Sequence, residues 1–225
     1  MTENVKGFAK LVGVPKMTES ERFMVEDLAR SWLTPADMPY GVKTLLLSKD
    51  GVSGYKILYD GAGKYWRIRH NREEAKYTSP KEKPAQRFMP RDLAAFSKAK
   101  IVGIVEGEKK AAAALRFAGL PAIGIGGCWN WCESTEDREA KQICLEILDN
   151  VTPDQVILCC LDGDWRNNEN VQRAVATLAL ELEALGLHAH FPDFGNAGGL
   201  DDWIIAKYER KENVPEPELI KTKVA

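Results

Sequence analysis

The sequence contains no apolar stretch long enough to cross a bilayer, and its beginning, MTENVKGFAK, lacks the basic-then-apolar order of a secretion signal. It has five cysteines, an odd number, and Cys144, Cys159 and Cys160 fall in apolar periodic segments. A reduced thiol in such a segment acts as a small hydrophobe. These absences predict a cytoplasmic protein with no membrane contact and no structural disulfides.

The net charge of -2 hides an asymmetry along the chain. Up to Lys100 there are 19 Lys and Arg against 12 Asp and Glu, and from Ile101 onward there are 12 against 21. The two parts therefore carry about +7 and about -9, from those counts. This split fits a basic part that meets a polyanion beside an acidic part that holds divalent cations, although two solvated surfaces would look the same.

The first part reads as a helix followed by a small sheet. Residues 19–33 have apolar side chains near helical spacing, with Thr18 or Ser20 as the N-cap, which predicts one amphipathic helix. Short β-rich runs follow, separated by the turn-forming KDGVSG and DGAG, and they predict an antiparallel sheet. The runs are TLLLS, GYKILYD and KYWRIRH.

The third run places aromatic and cationic side chains on one face of its strand. Side chains alternate along a strand, so Tyr65, Arg67 and Arg69 should point the same way. This mixture suits phosphate contact together with base stacking, although a solvated outer face would look alike. We favour nucleic-acid contact and expect a preference for single strands.

The second part alternates strands and helices. IVGIVE, PAIGIGG, VILCCLD and HAHFPDF are strand-like, and helices are predicted at residues 108–118, at 136–148 and up to Leu185. This order implies a mainly parallel sheet flanked by helices. The predicted organisation is an α/β chain with a basic, β-rich α+β module at 1–98, a domain with the parallel sheet at 99–210 and a flexible tail at 211–225.

Acidic residues follow two of these apolar strands. Glu106 ends the first, and Asp162 and Asp164 end another in the order LDGD. Ligands of open α/β sheets gather at this carboxyl edge, and carboxylate oxygens suit Mg²⁺ or Mn²⁺, which also take phosphate oxygens. The alternative is that such residues only cap the next helices.

The combination of VEGEKKA and, about fifty residues later, CCLDGD resembles the Toprim domain of primases, type IA topoisomerases and related nucleases. The resemblance implies that Glu106 is a general acid/base or metal ligand and that Asp162 and Asp164 hold Mg²⁺. GGLDDWI resembles the segment that supplies a further acid near the metals, which would be Asp201 or Asp202. A weaker likeness upstream, in YKILYD, YWRIRH and KYTSP, is to primase-like proteins of phages and plasmids.

Lys109 and Lys110 follow the glutamate at a helix start, where they would contact triphosphate or backbone phosphate, or form a solvated face. Cys128 and Cys132 bracket two tryptophans in GCWNWC, but no second pair of zinc ligands accompanies them, so aromatic packing or a stacking loop is favoured over zinc.

The sequence shows neither a Cys/His zinc ribbon nor a helicase P-loop of G-x-x-x-x-G-K-[ST] form. The prediction is therefore a primase-like nucleotidyltransferase that uses Mg²⁺ and nucleoside triphosphates on single-stranded DNA, with a replicative helicase as a further partner. A metal-dependent Toprim nuclease and a non-catalytic replication module remain alternatives. A topoisomerase is disfavoured, because its nucleophilic tyrosine requires a large gate region.

Overall fold

The computed structural model describes residues 17–45, 51–133, 142–161, 166–195, 198–209 and 218–219. Within these ranges the chain forms a four-stranded antiparallel sheet, a four-stranded sheet of parallel strands and a two-stranded pairing. Helices pack against the sheets. The predicted mixed α/β class is confirmed.

The first helix, α1, spans Glu19–Ala29 and begins as the sequence predicts. Thr18 is the N-cap, and it exchanges hydrogen bonds with Glu21 in a capping box. The helix ends four residues before the predicted end at residue 33. The chain there turns through Trp32, whose φ of 56° lies in the left-handed region that a helix does not use.

The antiparallel sheet has the order β1-β2-β3-β4. Its first strand was predicted at residues 44–48. The observed strand lies earlier, at residues 42–44, where it pairs with β2. Residues 46–50 lie outside the described ranges. The strands are β1 Val42–Thr44, β2 Gly54–Leu58, β3 Trp66–His70 and β4 Tyr77–Thr78.

The parallel sheet has the order β6-β5-β7-β8, so β5 and β7 are its central strands. Each neighbouring pair is parallel, which confirms the expectation from the alternating pattern. The segment that connects the two sheets also pairs with the parallel one, since Phe88 forms an antiparallel bridge with Gly124 at the β6 edge. The strands are β5 Ile101–Val105, β6 Ala122–Gly124, β7 Val156–Cys160 and β8 His188–His190.

Five further α-helices follow α1 in the described chain: α2 Leu93–Lys98, α3 Glu108–Ala118, α4 Leu145–Leu148, α5 Glu169–Ala184 and α6 Leu200–Tyr208. The predictions for α3 and α5 are confirmed. Of the helix predicted at 136–148, the single turn α4 is observed. The described residues before it, 142–144, are not helical, so the prediction is wrong there. Ile143 instead bridges Cys132 and is buried with Ile147, so tertiary packing overrides the helical pattern.

None of the described helices has the length and apolarity needed to span a membrane.

Two apolar clusters form the core. One lies on the face of the parallel sheet covered by α2 and α5. The other joins α3 and α6 on the opposite face to α1 and the antiparallel sheet. The second cluster therefore contains residues from both sides of the predicted boundary at residue 98. In the predicted tail, β10 (Glu218–Leu219) pairs with β9 (Pro192–Asp193).

Candidate functional site

Glu106 stands at the carboxyl edge of the parallel sheet, as predicted. It directly follows β5, and the last residue of that strand, Val105, is in register with Cys160, the last residue of β7. The two acidic motifs therefore begin beside each other in the sheet. Asp162 and Asp164, two and four residues after Cys160 in the sequence, lie outside the described residues.

A pocket of about 290 Å³ opens at this edge and is built from both parts of the chain. The antiparallel sheet contributes Arg67 and Tyr77. The parallel domain contributes Glu106, the first turn of α3 and Asp201 of α6. Carboxylates and cations thus line one cavity, which is the composition expected of a site for a metal and a phosphorylated ligand.

Glu108 forms a buried network that attaches α3 to the antiparallel sheet. Its Oε1 accepts hydrogen bonds from the Tyr59 hydroxyl at 2.5 Å and from Nη1 of Arg67 at 2.9 Å. Burial alone would lower the pKa of Arg67, but the Glu108 carboxylate raises it above its ordinary value, so the guanidinium stays charged. Burial, and then Glu108, raise the pKa of Tyr59, which stays protonated.

Asp27 of α1 forms a second buried network. It includes Lys109, the residue after Glu108 in α3. Its carboxylate accepts from the Tyr55 hydroxyl at 2.7 Å, from Lys109 at 3.1 Å and from Arg69 at 3.3 Å. Burial raises the pKa of this carboxyl, but Lys109, Tyr55 and Arg69 together lower it further, so the net pKa is below the ordinary value.

The lowered pKa of Asp27 predicts a loss of stability in acid. A carboxyl whose pKa is depressed in the folded state stabilises the protein above its unfolded pKa, and that stability is lost as pH falls through the folded pKa. The free energy of unfolding should therefore decline below about pH 4. Urea unfolding at a series of pH values measures this decline, and it should be shallower in Asp27→Asn. Equal slopes for the variant and the wild type would contradict the assignment.

Asp201 forms the third connection, which links α6 to Ser31 and to Lys110 of α3. Its Oδ2 accepts from the Ser31 hydroxyl at 2.8 Å, and Nζ of Lys110 lies 3.6 Å from its Oδ1. Asp201 is only 8 % exposed, and Oδ1 is buried with no hydrogen-bond partner among the described residues. Asp202, by contrast, accepts from the Gly199 amide at the start of α6 and so serves as a helix cap. Of the two acids predicted as metal ligands, Asp201 is the one that lines the pocket.

The expected contact surface of Tyr65, Arg67 and Arg69 needs correction. The three side chains do share a face, but the core covers it: Tyr65 is 1 % and Arg69 9 % exposed. Arg69 is bound to Asp27, and only Arg67 reaches the pocket. Stacking of bases on this face is therefore excluded in this structure.

The two lysines after Glu106 also point inward rather than into solvent. Nζ of Lys109 binds both the backbone and the carboxylate of Asp27, whereas Lys110 contacts Asp201 at a distance longer than a hydrogen bond. Both line the pocket. The alternative of a solvated helix face is wrong.

Oxygen donors in the pocket fit Mg²⁺ or Mn²⁺. Within the described ranges, no three His, Cys, Asp or Glu side chains come together as a metal site. Glu106 and the unpartnered Oδ1 of Asp201 nevertheless line one cavity, and hard cations prefer such ligands.

The GCWNWC loop packs through its aromatic side chains. Trp131 is fully buried, and Trp129 stacks on it with ring centroids 6.2 Å apart. All five cysteines are free thiols. Aromatic packing is thus the observed role of Trp131.

The turn after β6 approaches Arg67 closely. Gly126 has a φ of 71°, and a Cβ there would lie 2.7 Å from Nη1 of Arg67. Gly119 has a similar φ of 62° but open space around it. We expect Gly126→Ala to lose about 1 kcal/mol or more beyond the loss in Gly119→Ala, because only Gly126→Ala also displaces Arg67 from Glu108. Urea unfolding of both variants tests this, and equal losses would refute it.

Sequence reasoning missed Asp27, Tyr59 and Tyr77. A signal existed for Asp27, since Ser20, Phe23 and Asp27 recur at three- and four-residue spacing and share the buried face of α1. Tyr77 falls within KYTSP, but the likeness of that segment assigns it no role, and its place in the pocket depends on how the two sheets meet.

The comparisons with known proteins give one family. Residues 94–211 match the family described as "Domain of unknown function (DUF3854)", which is more than half of the chain. The chain belongs to the DUF3854 family. The matched range includes the parallel sheet and the helices from α3 to α6 with nearly all of α2, whereas Arg67 and Tyr77 precede it. Among curated proteins, none matches the sequence.

A primase is among the solved structures that are similar to the DUF3854 chain. It is described as the crystal structure of the Aquifex aeolicus primase, with zinc-binding and RNA polymerase domains. The TM-score is 0.48 at 15 % identity, over 91 % of this chain and 50 % of that one. The chain therefore spans half the length of that primase fragment.

Proposed function

We propose that the protein is a Toprim-type, primase-like nucleotidyltransferase that joins nucleotides on single-stranded DNA with the help of Mg²⁺ or Mn²⁺. The observation that carries the proposal is the register of β5 and β7. Because Val105 pairs with Cys160, Glu106 and the LDGD motif leave the sheet from neighbouring positions at one edge. The resemblance of VEGEKKA and CCLDGD to Toprim motifs supports the same arrangement.

The chain's own residues supply binding, orientation and proton transfer. Asp162, Asp164 and Asp201 would hold the metal, and Arg67 and Lys110 would hold ligand phosphates. Bound divalent cations stabilise charge on the attacking and leaving oxygens of phosphoryl transfer. Glu106 would accept the proton of the attacking hydroxyl. Glu108, bound by Arg67 and Tyr59, keeps α3 and therefore this edge in position.

Two parallel assays test the proposal. One offers labelled nucleoside triphosphates with single-stranded DNA and Mg²⁺ or Mn²⁺, and the other offers labelled DNA alone. We expect template-dependent dinucleotides in the first and intact DNA in the second. DNA cutting without synthesis would show a Toprim nuclease instead, and the absence of both activities, with or without an added replicative helicase, would indicate a non-catalytic module.

A further inference from the structure

A second cavity, of about 590 Å³, is lined by part of the GCWNWC loop. Its other walls come from residues 84–87 and from residues 144–146 at the start of α4. We call it the tryptophan pocket. Among the described residues, it shares no lining residue with the pocket beside Glu106. Its volume falls in the range of about 300–1,000 Å³ that is usual for small-molecule sites, so it can hold a ligand of its own.

Arg87 holds the walls of the tryptophan pocket together. Its Nε donates a hydrogen bond to the Asn130 carbonyl at 2.7 Å, and its Nη2 donates to the Cys132 carbonyl at 2.8 Å. Its Nη1 donates to the Ala85 carbonyl at 2.8 Å and to the Glu146 carboxylate at 3.0 Å. These contacts use most of the donors of the guanidinium. Arg87 therefore fixes the shape of the pocket and does not serve as a cation for a phosphate group.

Trp129 is the aromatic residue of this lining, and its orientation is fixed. Its ring is partly exposed and stacks on Trp131, which is fully buried. Its Nε1 donates a hydrogen bond to Oδ1 of Asn170 in α5 at 2.9 Å. An aromatic ring that is already ordered loses little freedom on binding, and such rings stack on nucleobases. Trp129 is therefore suited to stacking against a flat ligand.

The charged lining residues favour a ligand with hydrogen-bond donors and disfavour phosphate. Glu133 and Glu146 both line the pocket, and Glu146 is the ion-pair partner of Arg87. Glu133 therefore gives the lining a net negative charge. Carboxylates accept hydrogen bonds without donating them, and they repel phosphate groups. The part of a ligand that fits here is flat and uncharged and carries N–H donors, which describes an amino-bearing nucleobase.

The loop that carries Trp129 lines both cavities. Gly126 and Gly127 line the pocket beside Glu106, and the Gly127 amide donates to the Glu106 carbonyl at 3.1 Å. Asn130 lines the tryptophan pocket, and its side-chain amide donates to the Gly126 carbonyl at 3.2 Å. The tryptophan pocket is therefore close to the edge of the sheet where the proposed chemistry takes place.

We propose that the tryptophan pocket is a base site: a nucleobase with an exocyclic amino group stacks on Trp129 and donates a hydrogen bond to the carboxylate of Glu133. Adenine, cytosine and guanine carry such a group, whereas thymine does not. A free nucleotide and a single strand both supply such a base, and the experiments below separate these two sources. The place of the base in catalysis rests on the proposed function, but its binding does not.

Titration with adenosine and with purine riboside tests the base site without phosphate, metal or catalysis. The two nucleosides differ only in the 6-amino group. The wild type should bind adenosine about threefold or more tightly than purine riboside. This effect is smaller than that of a buried hydrogen bond to a charged group, because Glu133 is exposed. Nuclear magnetic resonance of the nucleoside measures both affinities.

Two variants change the two halves of the base site separately. Trp129→Leu should weaken adenosine binding by about fivefold or more, the usual effect of losing base stacking. Glu133→Met removes the acceptor at an exposed position, so it should preserve the fold and bring the two nucleosides to nearly equal affinity. The controls are Trp66→Leu and Glu183→Met, which make the same changes outside the pocket lining and should bind like the wild type.

A short oligodeoxyadenylate identifies the source of the base. If the pocket holds a base of a strand, Trp129→Leu weakens binding of the oligonucleotide as well as that of adenosine. If it holds the base of a free nucleotide, Trp129→Leu weakens binding of adenosine alone. Both results support the base site.

The outcomes separate the base site from the proposed function. Adenosine binding that depends on Trp129, in a protein without nucleotidyl transfer, supports the base site and overturns the function. Nucleotidyl transfer by a protein whose adenosine affinity is unchanged in Trp129→Leu overturns the base site and keeps the function. The base site is also overturned if the wild type does not bind adenosine, or if Glu133→Met keeps the full preference for adenosine.

Discussion

Glu106→Gln should lower the rate of nucleotidyl transfer by about 100-fold or more, the usual effect of removing a general acid or base. The amide keeps the shape of the side chain but loses its charge and its basic oxygen. Folding should be preserved, because Glu106 lies after β5 at the edge of the sheet and not within the apolar core. Initial rates on a single-stranded template measure the effect.

The control for this experiment is Glu183→Gln, which makes the same change on the exposed side of α5. Its rate should match that of the wild type. Binding of single-stranded DNA should persist in Glu106→Gln, so that the loss is one of turnover. A normal rate in Glu106→Gln would remove Glu106 from the chemistry.

The second large effect concerns stability. Glu108→Ala should lower the free energy of unfolding by about 3–5 kcal/mol, because it leaves Arg67 as a charge inside the protein without its partner. The side chain of Arg67 is 15 % exposed and that of Glu108 is 2 % exposed, so their contact is mostly shielded from water. The Tyr59 hydroxyl would lose its acceptor as well. Urea unfolding measures the difference.

A matched variant and a double variant sharpen this test. Glu183→Ala removes an exposed carboxylate and should change stability by no more than about 0.5 kcal/mol. The double variant Glu108→Ala, Arg67→Ala should lose less than the sum of its single changes, since neither charge is then left alone. Strict additivity would show that the two side chains do not depend on each other.

The parallel sheet and its edge were predictable because their signals are local. The β-branched residues in IVGIVE and VILCC mark central strands, and a strand's end fixes where Glu106 must lie. The side-chain alternation of β3 was also correct: Tyr65, Arg67 and Arg69 do share one face.

What covers that face was not predictable, because it depends on residues far along the chain. Arg69 is neutralised by Asp27, 42 residues earlier, and Arg67 by Glu108, 41 residues later. Local alternation carries no information about such partners. The same limit explains the error at residues 142–144 of the predicted helix, where the bridge between Cys132 and Ile143 decides the backbone.

The first turn of α3 limits which part of the chain can be moved into another protein as a unit. Its three consecutive charged residues each contact a different element: Glu108 meets β3, Lys109 meets α1 and Lys110 meets α6. Two of these partners precede the family match at residues 94–211. A protein that contained only the matched range would leave Glu108 and Lys109 without their oppositely charged partners. The matched range is therefore not suited to transfer on its own. Fusions and chimaeras should exchange residues 17–209 as one unit.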